Sequence, residues 1–363
     1  MKRLFFSCFL FCLLFCGCND SPSTEIYQDK RDNTINVKDK VKEIDFAGLL
    51  ISGYSWLDES NDYLFICDIH SYENLIHIIN KNDFTPVHSF GRKGEGPMEI
   101  TNMGTLAFNE KEQILYVLDH GKGKILSYSI DSLLIDPEYT HQVKTTIHSG
   151  TFPVDYYYIN DTLCLGHAMT PRKDGPYNMG FVKWNMLSGK LEAFGYENPQ
   201  VERKRTCFDV SEKENRYVEA YNHHDLLTIC DLKGNLLFNI YGPKWNDRTQ
   251  NIYNHYDCVK WLGDKIIASY AEGRSRGQSD KLAHLPTKFL VFDKNGKYQC
   301  TLDVGYKIQD FVCDEENKRL IINMFDTSGK DSNKKPTVVD IIDRYNLLSD
   351  DGVIFVSLDD GEI

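Results

Sequence analysis

Histidines recur just after apolar, strand-like runs in this chain. The segments are Asp68-Ile69-His70, Asp119-His120, Gly166-His167 and Tyr221-Asn222-His223-His224-Asp225, with Glu272-Gly273-Arg274 and Asp326 in equivalent places. Neutral imidazoles are good metal ligands and serve as bases near neutral pH. If three met at one ion they could support a metal-assisted hydrolase or lyase. Left apart, they would line a surface that holds a glycan, a peptide or a protein partner. Strand ends that are polar simply because water reaches them are the competing reading. The sequence contains no His-Glu-x-x-His, no Gly-x-Ser-x-Gly and no pair of carboxylates in a catalytic arrangement. No catalytic residue, cofactor or metal-ligand set is therefore assigned. The candidate ligand face comprises Arg92, Lys93, His70, His120, His167, His223, His224 and Arg274. Its runner-up is a metal-assisted site at a channel mouth.

Those residues need a scaffold that repeats. An alternating strand, a short Asp/Asn/Gly turn and another strand recur at 79–83, 129–132, 184–190, 231–235 and 293–297, and more weakly at 348–352. The middle residues suit the positive φ angles of tight hairpins. The spacing averages about fifty residues, the range of a propeller blade. Before each turn come two further strands, as in Thr105–Phe108 and Ile114–Asp119, or Gln309–Cys313 and Arg319–Met324. The pattern predicts an all-β fold, a six-bladed β-propeller of four-stranded antiparallel blades. The blades fall near 50–91, 102–148, 154–195, 205–242, 255–305 and 307–358. The strand near Val41 to Leu50 has no hairpin partner and is expected to close the ring against the last blade. Loops between second and third strands share a face with the blade-to-blade connections, so the histidines and the loop carrying Arg92 and Lys93 are expected on one face.

That loop reads Phe90-Gly91-Arg92-Lys93-Gly94-Glu95-Gly96-Pro97-Met98-Glu99-Ile100. Its order, Gly-x-x-Gly-x-Gly with no helix after it, does not fit a phosphate cradle. Glycines that permit close backbone approach between blades are the simpler reading. The segment resembles the FGxxGxGPxEF signature of TolB-like six-bladed propeller lipoproteins of Gram-negative bacteria, with Glu99-Ile100 in place of Glu-Phe. Tyr241-Gly242-Pro243 and Val304-Gly305 are similar in style. The resemblance implies a fold and a cell-envelope address, and no activity.

The first residues agree with that address. Lys2 and Arg3 precede an apolar run from Leu4 through Phe15, too short for a membrane span, then Phe15-Cys16-Gly17-Cys18 and a polar stretch. This resembles a bacterial lipoprotein signal with Cys18 as the lipidated residue, holding the chain to a membrane by its acyl groups. Residues 1–17 are then a signal peptide, 18–38 a lipidated cysteine with a flexible tether, and 39–363 one propeller domain. The expected location is the envelope, at the outer membrane, with either side open. Losing Lys2 and Arg3 takes the formal charge from −12 to about −14. That balance argues against nucleic acid, which requires a clustered basic stripe. A monomer is expected. Cys67, Cys164, Cys207, Cys230, Cys258, Cys300 and Cys313 are widely spaced without a Cys-x-x-Cys, so buried apolar use is expected rather than a zinc framework. The stretch from Glu272 to Leu285, with Arg274, Arg276, Lys281 and His284, reads as an extended hairpin tip that could touch a partner.

Overall fold

The computed structural model describes residues 23–341 apart from 45, 47, 53–54, 137, 148–149, 173–176, 246–252, 276–284 and 326–336. Six antiparallel sheets follow one another along it. Blade 1 comprises Ser55–Glu59, Tyr63–Asp68, Ile76–Asn80 and Pro86–Phe90. Blade 2 comprises Met103–Asn109, Ile114–Asp119, Lys124–Ser129 and Gln142–Thr146. Blade 3 comprises Phe152–Asn160, Leu163–Pro171, Tyr177–Asn185 and Lys190–Ala193. Blade 4 comprises Thr206–Ser211, Arg216–Tyr221, Leu226–Asp231 and Leu236–Tyr241. Blade 5 comprises Tyr253–Leu262, Lys265–Ser275, Lys288–Asp293 and Tyr298–Asp303. Blade 6 has Lys307–Asp314, Arg319–Phe325 and Thr337–Ile341, with Val41–Glu43 antiparallel to the last of these. The hairpin tip expected at 348–352 lies outside the described residues, as do residues 276–284 of the blade 5 insertion.

Strand periodicity explains how the sheets join. In Tyr63–Asp68 successive side chains point to opposite faces. Leu64 and Ile66 enter a core with Val312 and Ile321 of blade 6, while Phe65 and Cys67 enter one with Leu115 and Val117 of blade 2. Further clusters join blades 2 and 3 around Tyr116 and Trp184, and blades 3 and 4 around Phe181 and Tyr217. Others join blades 4 and 5 around Ile229 and Val259, and blades 5 and 6 around Phe289 and Phe311. Every seam of the ring therefore has its own apolar core. The middle strands are apolar on both faces because both are covered, and each fully buried Leu, Ile or Phe contributes about 1.5–3 kcal/mol.

The turn expected at Ser129–Ser132 is instead the start of a short helix, Ile130–Ile135. Ser129 caps it: its hydroxyl accepts the Ser132 N–H at 3.3 Å. Ile130 and Leu133 then drop into the core between blades 1 and 2. The seven cysteines are free thiols, five buried and Cys207 and Cys258 half-buried.

Residues 23–38, expected as tether, are built into the body. Glu25–Tyr27 lies parallel to Leu236–Tyr241 on the rim of blade 4, and Thr34–Asn36 lies parallel to Tyr298–Asp303 on the rim of blade 5. The segment then reaches blade 6 through Val41–Glu43. It looks polar in sequence because a strap on a sheet edge buries only scattered residues, here Val37 fully and Ile26 and Ile35 in part.

Arg31 locks the strap at the seam of blades 4 and 5. Its guanidinium Nη1 lies 2.8 Å from Asp225 Oδ1, with both side chains almost wholly buried. The same group sits over the rings of Tyr270 and Phe292, at 5.6 and 5.3 Å from their centroids. Tyr256 and Tyr270 donate their hydroxyls to the Asp225 carboxylate at 2.9 and 3.1 Å. Burial alone would raise the Asp225 pKa, but the Arg31 charge, nearby His255, the Lys244 N–H and the Arg31 hydrogen bond hold it below the ordinary carboxylate range. Removing Arg31 leaves a buried carboxylate without its cation. Arg31→Ala is expected to lower unfolding stability by about 3 kcal/mol, read from urea denaturation. A loss within error of zero would show that the strap does not depend on this pair.

Candidate functional site

Carboxylates at the ends of second strands are occupied by backbone amides. Asp68 accepts the N–H of Ser52 at 2.6 Å and of His70 at 3.0 Å, with the Ser52 hydroxyl as a further donor. Asp119 accepts N–H groups from Thr101, Asn102 and Gly121, each at 3.0 Å. Both aspartates clamp the connection that enters their blade. Asp225 clamps the one that leaves, accepting the Lys244 N–H at 3.0 Å. The inner strands do the same across seams: Asp310 accepts the Leu57 N–H at 2.6 Å, and Asp209 accepts the Trp261 N–H at 2.7 Å.

The histidines beside these carboxylates do not converge. His70 is exposed, and His120 is half-buried with its ring edge toward Phe152. His223 and His224 are buried, the latter packed beside Trp245 at 5.6 Å between ring centroids. Arg274 lies in the second strand of blade 5, opposite Asn254, and its side chain is outside the described residues. Arg92 and Lys93 are exposed, and Lys93 Nζ donates to the Ile69 carbonyl at 3.1 Å. Among the described residues, no group of three His, Cys, Asp or Glu side chains is placed to hold a metal ion.

His167 is committed to the seam of blades 3 and 4. Its Nδ1 lies 2.9 Å from Asp155 Oδ1, and its Nε2 lies 2.9 Å from Thr206 Oγ1 and 3.5 Å from Glu219 Oε1. Lys204 Nζ pairs with Glu219 Oε2 at 2.9 Å. Burial opposes protonation of His167, yet Asp155 and Glu219 outweigh it and lift its pKa to about 9. Burial likewise opposes ionisation of Glu219, but Lys204 and His167 hold its pKa at about 2. The imidazolium is thus a structural cation.

The glycine-rich loop is also self-contained. The Glu99 carboxylate folds under it and accepts the Gly96 N–H at 2.8 Å. A Cβ at Gly94 would meet the Glu99 carboxylate, so a side chain here would push that carboxylate out from under the loop. Lys122 Nζ donates at 2.5 Å to the carbonyls of Gly96 and Glu99 and ties the loop to blade 2. The signature is therefore a seam between blades 1 and 2.

A cleft of about 500 Å³ opens beside that seam. Blade 1 contributes His88 and Phe90 from its rim strand and Arg92 from the loop. Blade 2 contributes Tyr128, Tyr139 and His141. The alternation of the rim strand places His88 and Phe90 on the same face. Phe90 packs on Tyr128 with ring centroids 4.7 Å apart, and the Tyr128 hydroxyl lies 3.2 Å from His141 Nδ1. Tyr139 accepts the Ser129 N–H on its hydroxyl oxygen at 3.0 Å. Burial lowers the pKa of His88, and burial with Lys122 lowers that of His141, so both are neutral at pH 7 and can donate or accept. The rings are flanked by a larger set of polar groups, the Glu99, Asp136 and Glu138 carboxylates among them, so the lining suits a polar small ligand. Of the sequence candidates only Arg92 lines it. Phe90 was visible as the first residue of the signature, but His141 and Tyr139 follow a helix in a connection the strand pattern does not mark.

A family model described as "6-bladed beta-propeller" matches residues 47–163. No curated protein matches the sequence. Among solved structures, a protein from Bacteroides fragilis described as exported has a TM-score of 0.52 at 11% identity, covering 87% of this chain and 98% of its own. A duf4221 family member from Bacteroides vulgatus has a TM-score of 0.51 at 12% identity, covering 83% and 94%. A luciferin-regenerating enzyme matches at 0.51 and 8% identity, also covering 83% and 94%. At such identities the likeness is one of fold, and this chain is a six-bladed β-propeller.

The His167 cluster predicts a pH window. A raised histidine pKa stabilises fully below the ordinary 6.5, and that contribution fades as pH rises toward 9. A depressed glutamate pKa stabilises above the ordinary 4.5, and that contribution fades as pH falls toward 2. Urea midpoints of the wild type and His167→Gln are expected to differ most between pH 4.5 and 6.5 and to approach each other by pH 9. A gap that does not vary over that range would refute the charged-histidine account.

Proposed function

We propose that this chain is a lipid-anchored propeller of the cell envelope that binds a small polar ligand without converting it. The cleft between blades 1 and 2 is the observation that carries the reading. It joins apolar rings to neutral imidazoles and the Arg92 guanidinium, groups that recognise a ligand by hydrogen bonding. The lipoprotein-like start, with Cys18 as the acylated residue, supports an envelope address, as does fold likeness to a protein described as exported. Kinship with TolB-like lipoproteins is part of the same proposal, resting on the Phe90–Ile100 signature. Glycan fragments and short peptides are the ligand classes that suit such a lining. The metal-assisted hydrolase or lyase reading is favoured by no arrangement of donors among the described residues.

The test uses the full-length protein in detergent against a panel of oligosaccharides and short peptides, followed by calorimetry. At least one compound is expected to raise the wild-type Tm by several degrees. Arg92→Ala with His141→Ala, both outside the seam cores, is expected to keep the unliganded Tm and to lose at least tenfold in affinity, about 1.4 kcal/mol or more. A panel without a binder, or binders indifferent to both substitutions, would overturn the cleft as the site.

A further inference from the structure

We infer that the rim at the seam of blades 3 and 4 lies against the lipid bilayer, so that the cleft between blades 1 and 2 faces away from it. The inference rests on lipidation of Cys18 as proposed above, and adds what that reading leaves open: the orientation of the body.

The strap fixes where the chain leaves the propeller. The Thr24 carbonyl accepts the Asn239 N–H at 2.7 Å, and the Asn239 side chain donates to Glu25 Oε1 at 2.9 Å and to the Tyr196 hydroxyl at 3.3 Å. Asn239 belongs to the rim strand of blade 4, and Tyr196 lies just after the rim strand of blade 3. Gly234, in the last turn of blade 4, lies against Gly195 at the same seam. The root of the strap is therefore held between two blades.

This root cannot easily slide. Peeling the strap back would break the strand pairing on blade 4 and expose the Arg31–Asp225 pair. Ser23 is five residues after Cys18, and a stretch of that length spans at most about 18 Å when fully extended. A long flexible tether would let the propeller tumble above the membrane. A short one rooted at the rim holds that rim beside the lipid. The net negative charge gives no attraction to anionic lipid, so covalent geometry decides which side faces it. In a six-membered ring the seam of blades 1 and 2 stands two seams, about 120°, round from the seam of blades 3 and 4. The cleft consequently points obliquely away from the anchored rim.

The experiment places the full-length lipidated protein in vesicles of phosphatidylethanolamine and phosphatidylglycerol doped with a nitroxide-headgroup lipid. A fluorophore is attached at Lys233→Cys, exposed beside Gly234, or at Tyr72→Cys, fully exposed on blade 1, with Cys207 and Cys258 replaced by serine. The Lys233 label is expected to be quenched several-fold more than the Tyr72 label. Inserting a Gly/Ser linker of about 20 residues after Pro22 is expected to abolish the difference. Equal quenching of the two labels in the protein without the linker would overturn the orientation. Vesicle flotation separates the two readings. If Cys18→Ala floats like the wild type, the lipid anchor fails and the orientation falls with it. If flotation requires Cys18 but quenching is equal, the orientation alone fails.

Discussion

The fold depends on carboxylates that gather backbone amides where the chain passes from one blade to the next. A blade-to-blade connection has no sheet partner for its own N–H groups, and a buried amide left unpaired costs about 1–3 kcal/mol. Asp68 and Asp119 each satisfy several such donors at once, and Asp209 and Asp310 reach across to the neighbouring inner strand. Apolar packing pulls the seams together without specifying their angle. The directional bonds to fixed oxygens supply that specification. Charges that look as if they await a ligand are therefore in use within the ring.

This explains how the sequence was informative about shape and misleading about site. Hairpin turns and two-residue alternation follow directly from backbone geometry, so the blades could be read from residues such as Leu64-Phe65-Ile66-Cys67, whose side chains divide between two seams. Histidines at strand ends carry no mark distinguishing a ligand contact from a structural cation. His167 became the second because Asp155 and Glu219, distant in sequence, close on it in space. His88 and His141 stood in no repeat position, and only folding of the blade 2 connection brings them to one cleft.

The N-terminal strap was hidden for a related reason. A strand laid on a sheet edge gains its hydrogen bonds from the neighbour's backbone, which leaves no trace in its own side-chain pattern. Ile26, Ile35, Val37 and Arg31 carry the buried part of the contact, and in sequence they read as isolated residues in a polar stretch. The lone arginine carries most of the meaning. Guanidinium is the cation best suited to burial because its plane can stack on rings while its edge meets a carboxylate.

Parallel pairing of the strap with blades 4 and 5 also sets an order of events. Residues 25–27 leave the ribosome early, yet their partner at 239–241 is made more than two hundred residues later. The earliest part of the chain must wait, unpaired, until most of the ring exists. Contacts so far apart in sequence are slow to form, since loop closure precedes any gain. Docking of the strap is thus among the last steps of folding. A truncated or stalled product would show its unclasped N-terminal segment to proteases, while a finished ring would conceal it.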